Sequence, residues 1–284
     1  MRLRPLLLVT ALVVLLSGCN WHLMVPNGDA PLRYRDAIFT GVTVTPDITY
    51  GSAVTQAGAT QSLELDLYAP TGDTVTARPA IVWVHGGSFC CGNKTSGEIV
   101  DQANVFAAKG FVAASIEYRL APGGCSAGGP TATCITAIQH ALDDAQAAVA
   151  FLRTNAATYG IDPTRIAING TSAGAITALN VGYSNEESPN SSVTAAVSLS
   201  GAHIFGAFTP GDAPALMFHG SADTVVPYAW AVTTRDQAKA ANLTALLTTW
   251  DGAGHVPYVQ NRQQIIDQTT NFLYHMMSLR FAAQ

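Results

Sequence analysis

Three residues in this chain have the types needed for nucleophilic catalysis, and each follows a short apolar run. Ser172 is the centre of Gly170-Thr171-Ser172-Ala173-Gly174, behind the apolar residues 166–168. A buried strand that turns sharply into a helix strains the central residue and leaves its hydroxyl exposed beyond the strand end, and the flanking glycines let the two elements pass closely. A second copy of the pattern, Gly124-Cys125-Ser126-Ala127-Gly128, lies among glycines and prolines with no strand before it and no helix after it. Ser126 is therefore read as loop and Ser172 as nucleophile.

A serine hydroxyl is a poor nucleophile at neutral pH. It needs an imidazole base, and the imidazole needs a carboxylate to fix its tautomer and stabilise its charged form. Asp223 lies in His219-Gly220-Ser221-Ala222-Asp223, after apolar residues 215–218, and His255 lies in Asp251-Gly252-Ala253-Gly254-His255, after residues 243–249. Asp251 is too close to His255 along one loop to reach it from behind and is expected to make a local turn bond. His219 is read as a structural neighbour of the acid loop. His22, His140, His203 and His275 have no partner pattern. No grouping of His, Cys and Asp has metal-ligand spacing, so neither a metal nor another cofactor is expected.

The chain order Ser172, Asp223, His255 matches that of the α/β-hydrolases, and the span from about 60 to 275 resembles that superfamily, nearest its esterase/lipase branch. His85-Gly86-Gly87-Ser88-Phe89 resembles the His-Gly-Gly-Gly oxyanion loop of lipases and esterases, with Ser88 in the third glycine position. On this resemblance the oxyanion donors are the N–H groups of Gly87, Ser88 and Ala173. Tyr118-Arg119-Leu120-Ala121-Pro122 resembles a loop that supports the oxyanion loop in that branch. The resemblance implies ester hydrolysis without identifying a substrate, because the fold hosts many chemistries.

The elements that must position these residues are legible as texture. Residues 38–45 and 62–69 alternate, as half-exposed antiparallel edge strands do. Residues 80–84, 111–116, 166–168, 193–199, 215–218 and 243–249 are short and mostly apolar. Helical segments at about 97–109, 135–158, 173–184, 227–241 and 260–279 lie between them. This predicts an α/β fold with a mostly parallel, twisted, eight-stranded sheet, helices on both faces, and the site at the carboxyl ends of the strands.

Residues 1–18 are read as a signal peptide, with Arg2 and Arg4 ahead of apolar residues 6–16. Leu16-Ser17-Gly18-Cys19 resembles the bacterial lipobox, which implies lipidation at Cys19 and export to the cell envelope, with the membrane met through the lipid anchor alone. Residues 19–36 are read as a tether and 37–284 as the catalytic domain. Loss of residues 1–18 removes two arginines and takes the formal charge from −5 to −5 − 2 = −7. With three lysines in the chain, there is no basic patch for nucleic acid. Of the other cysteines, Cys125 and Cys134 flank a Gly/Pro-rich loop and are the favoured disulfide, with bridges from Cys90 and Cys91 to this loop as the alternative. A vicinal Cys90–Cys91 bond would be strained.

Residues 200–214 hold three glycines and two prolines, which leaves no room for a sizeable helical cap. An open cleft is expected, walled by Phe89, His203, Phe205, Phe208 and Tyr258. It would take short acyl esters or esters of a bulky alcohol, on small molecules or polymers. Competing readings are a serine peptidase of the same fold and a non-catalytic surface-binding lipoprotein. Oligomeric state is not legible.

Overall fold

The computed structural model describes residues 21–125 and 131–282. The expected signal segment, Cys19 and Ser126 lie outside them. Eight strands form one sheet: β1 Val42–Val54, β2 Thr60–Pro70, β3 Arg78–Val84, β4 Val112–Ile116, β5 Ile161–Thr171, β6 Ala196–Leu199, β7 Ala215–Gly220 and β8 Ala245–Trp250. Their order is β1-β2-β4-β3-β5-β6-β7-β8. The β1–β2 and β2–β4 pairs are antiparallel and every other pair is parallel. Among the described residues, six α-helices accompany them: α1 Gly97–Ala108, α2 Ala132–Thr154, the short α3 Ala156–Tyr159, α4 Ala173–Gly182, α5 Tyr228–Ala240 and α6 Tyr258–Met276.

The inner strands are apolar throughout because both of their faces are covered. Ala80, Val82 and Val84 of β3, with Ile166 and Ile168 of β5, point into a core shared with α2 and α4. Ile81 and Trp83, with Ala167, point into a second core shared with Ile99 and Phe106 of α1 and Ile265 and Phe272 of α6. Alternate residues of one strand thus serve opposite layers.

The edge differs from the sequence expectation. β1 begins later than the alternation at 38–45 implied and runs to Val54. Its pairing with β2 is interrupted between Thr45 and Ile48 and again between Thr49 and Gly51. At the first interruption Asp47 takes φ 58° and donates its N–H to Asp66 Oδ1 at 3.0 Å. Such irregularities shift the side-chain alternation and hide a strand's true extent. Residues 21–36, read as a tether, lie along the domain. Tyr34 is buried beside Phe111, and Arg33 forms a hydrogen-bonded ion pair with Asp73.

Candidate active site

Ser172 sits between the end of β5 and the start of α4 with φ 55° and ψ −116°. A left-handed backbone on a residue with a Cβ is strained, and it persists here because the surroundings fix it. The Ser172 N–H bonds to Leu199 O at 2.9 Å, and its carbonyl accepts the N–H of Ile176 at 3.0 Å. Glycine is required on both sides. A Cβ on Gly170 would lie 2.1 Å from Gly174 O, and one on Gly174 would lie 2.0 Å from Val84 O.

The three candidate chemical residues meet. Ser172 Oγ is 2.8 Å from His255 Nε2, and His255 Nδ1 is 2.8 Å from Asp223 Oδ2. The other carboxylate oxygen, Asp223 Oδ1, accepts the N–H groups of Val225 at 2.9 Å and Val226 at 3.0 Å. Burial opposes ionisation of Asp223. Hydrogen bonds from His219 and His255 outweigh it and hold the carboxyl well below the usual carboxylate range. The His255 loop is held from behind, where Val256 takes φ 48° and donates its N–H to Ser200 Oγ at 3.0 Å.

His219 is closer to the chemistry than the sequence indicated. Its ring is fully buried, with Nε2 at 2.8 Å from Val226 O and 3.2 Å from Asp223 Oδ2. Two imidazoles therefore face one carboxylate oxygen. The available signal was position, since His219 stands four residues before Asp223 at the end of β7. Asp251 accepts a hydrogen bond from Ser221 Oγ at 2.9 Å, which ties its loop to the one after β7 and is not the local turn bond expected of it.

The loop after β3 passes directly under Ser172. A Cβ on Gly86 would lie 3.1 Å from Thr171 O and 3.3 Å from Ser172 Cβ. Gly87 takes φ 122°, and Ser88 and Phe89 are left-handed at 54° and 60°. Ser88 thus occupies backbone space where glycine would be relaxed. Ala173 is the first residue of α4, so its N–H lacks an intrahelical acceptor and points from the positive end of the helix dipole. The Tyr118–Pro122 stretch braces this loop. Tyr118 donates its hydroxyl to His85 O at 3.0 Å and stacks on the His85 ring, and Ala121 donates its N–H to Phe89 O at 2.9 Å. Arg119 is locked in turn by Asp144 of α2, which accepts its N–H at 2.8 Å and its Nε at 2.9 Å.

The expected cleft wall is corrected at Phe89, whose side chain is 1% exposed and packs in the core beside Tyr118. The left-handed turn folds it under the loop instead of over the serine. His203 packs between Tyr183 and Phe208 at ring separations of 5.3 and 4.6 Å, and burial pushes its pKa down to about 4. Phe205 is half-buried against the core, with its N–H on Asn180 Oδ1 at 2.8 Å. Tyr258 is buried and donates to Asp101 Oδ2 at 2.5 Å. With Gly97, Glu98, Val256 and Val259 it lines a cavity of about 450 Å³. Cys125 and Cys134 are joined, while Cys90 and Cys91 are not bonded to that pair.

This sheet order and elbow are those of the α/β-hydrolase fold, and the sequence is similar to the esterase/lipase branch of that superfamily. The BD-FAE family profile matches residues 65–205 and the TAP-like protein profile matches residues 195–275. A probable isoprenylcysteine alpha-carbonyl methylesterase of Oryza sativa subsp. japonica is 36% identical over 111 residues, 39% of this chain and 23% of that protein. Carboxylesterase NlhH of Mycobacterium tuberculosis is 35% identical over 96 residues, 34% of this chain and 26% of that protein. The matches thus span about a quarter of these relatives' own lengths. Among solved structures, native esterase 2 of Thermogutta terrifontis superposes with a TM-score of 0.67 at 22% identity, covering 89% of this chain and 99% of that one.

Proposed function

We propose that the chain is a serine hydrolase of carboxylic esters working through an acyl-enzyme. Ser172 Oγ attacks the ester carbonyl as His255 Nε2 takes its proton, and Asp223 holds the imidazole and balances its charge. The N–H groups of Gly87, Ser88 and Ala173 stabilise the tetrahedral oxyanion. On collapse His255 gives the proton to the departing alkoxide, and a water then repeats the cycle to release the acid. The observation that carries this reading is the two-bond relay from Ser172 through His255 to Asp223, each bond 2.8 Å, behind a serine held left-handed at a strand-to-helix turn. The esterase names among its relatives agree with it.

Ser172→Ala should lower kcat on p-nitrophenyl acetate by about 10⁶-fold, the scale of losing a serine nucleophile, while Tm is retained. A fluorophosphonate probe should label the wild-type chain at Ser172. An unlabelled wild type would favour a binding protein on a hydrolase scaffold, and unchanged turnover in the variant would overturn the assignment of the nucleophile.

A further inference from the structure

Cys90 and Cys91 close the turn that carries Gly87 and Ser88, and nothing in the mechanism uses them. Their Sγ atoms are 2.7 Å apart, nearer than two unbonded sulfurs pack comfortably. Both of their backbone N–H groups converge on Gly87 O at 3.0 Å. Cys90 is half-buried and its Sγ lies 3.4 Å from the same carbonyl, whereas Cys91 is exposed. The neighbouring loop packs on this turn. Cys125 donates its N–H to Ser88 O at 2.8 Å, and a Cβ on Gly124 would lie 2.9 Å from Cys90 Cβ. Cys125 is itself bonded to Cys134, so this chain already carries one oxidised pair, and neither of those sulfurs is left for Cys90 or Cys91.

We propose that Cys90 and Cys91 are a second, exchangeable cysteine pair that closes to a vicinal disulfide, and that this closure fixes the turn presenting the Gly87 and Ser88 N–H groups. The oxidant is a disulfide-bearing thiol carrier. The exposed Cys91 thiolate attacks one carrier sulfur and expels a thiolate, giving a mixed disulfide. Cys90 Sγ then attacks Cys91 Sγ and expels the second carrier thiolate. Two protons leave the cysteines and end on the two carrier thiols, and the carrier gains the two electrons that the pair loses. Adjacent Cα atoms stand about 3.8 Å apart, short of the ~4.4–6.8 Å of ordinary bridges, so the ring is strained and easily reduced. Strained, exposed bonds are the labile and regulatory kind. The turn has a use for the constraint, because Ser88 and Phe89 both hold a left-handed backbone there, at φ 54° and 60°, that a residue with a Cβ keeps only when its surroundings fix it.

The thiol chemistry stands without the proposed ester hydrolysis, and only its effect on turnover rests on that reading. Full-length protein purified without reductant should be denatured, treated with N-ethylmaleimide and mapped by mass spectrometry. The peptide across Cys90 and Cys91 should carry no maleimide and be lighter than the dithiol by the mass of two hydrogens. Mild reduction should make both alkylatable while Cys125–Cys134 stays closed. Two maleimides on the untreated peptide, or a bridge from Cys90 or Cys91 to Cys125 or Cys134, would overturn the pair. In the kinetic arm, mild reduction should lower kcat roughly tenfold, the scale of a modest misplacement of catalytic groups, with KM changed less than about twofold. Oxidised glutathione should restore it. Cys90→Ser/Cys91→Ser should give a turnover that no longer responds to either reagent. An opened pair with unaltered kcat, or a response that persists in the double variant, would overturn the coupling to the turn.

Discussion

Asp223 is the residue on which two histidines converge, and its charge is the most strongly held in the site. Burial alone would raise its pKa, yet the contacts with His219 and His255 and the two N–H groups of Val225 and Val226 leave it well below the ordinary carboxylate range. The sign for stability follows from this depression. The unfolded chain takes up the Asp223 proton near the ordinary value of about 3.9, whereas the folded chain does so only at lower pH. The contribution of the charged carboxylate is therefore complete above the unfolded pKa and drains away as pH falls through the folded one. The stability gap between wild type and Asp223→Asn should narrow as pH is lowered from about 5 towards 2. Urea unfolding at a series of pH values measures it. A gap that stayed constant across the acid range would mean that Asp223 titrates alike in the folded and unfolded chains.

Where β3 and α4 cross, the site depends on elements touching backbone to backbone. A Cβ at Gly174 would meet Val84 O at 2.0 Å and His85 O at 2.6 Å, so any side chain there must push α4 off the end of β3. Gly174→Ala should cost ~1–3 kcal/mol or more, as overpacking does, and it should move the His85–Ser88 turn relative to Ser172. Thermal unfolding reads the first effect, falling about 2–4 °C per kcal/mol for a domain of this size. An unchanged Tm would show that the crossing has slack. The crossing was legible because glycines and apolar runs fall at strand ends in a fixed sequence, and this is why Ser172, Asp223 and His255 could be picked out before any geometry. Other features depend on tertiary detail that a sequence does not display. The alternation of β1 is broken by a bulge at Asp47. Phe89, at the end of the His85–Ser88 loop, reads as a cleft aromatic, but it has a left-handed backbone and its side chain lies in the core. The contact of His219 with Asp223 depends on how the loop after β7 curls back, and its position at a strand end was the one available hint.

At the scale of the whole molecule, what covers the serine decides which esters fit. The stretch between β6 and β7, residues 200–214, contains no helix and is pinned down by Thr234, whose Oγ1 accepts the His203 N–H, and by Asn180, which accepts the N–H of Phe205. No cap crosses the site among the described residues. Val225, two residues after Asp223 in the chain, is 59% exposed, and Val259, four residues after His255, is 82% exposed. An acyl chain laid in the open cleft expected from so short a 200–214 stretch would bury one side only. Each added methylene should then gain less than the ~0.8 kcal/mol of full burial, which is less than about fourfold in kcat/KM per carbon. On a p-nitrophenyl series from acetate to palmitate, kcat/KM should rise shallowly, flatten by medium length and then fall. Activity should pass smoothly through the solubility limit of each substrate, since no cap has to open at a lipid surface. A rise that continued fourfold per methylene into long chains would require an enclosed acyl tunnel, and a jump at the solubility limit would require a moving cover. Either result would show that the site is covered when substrate is bound.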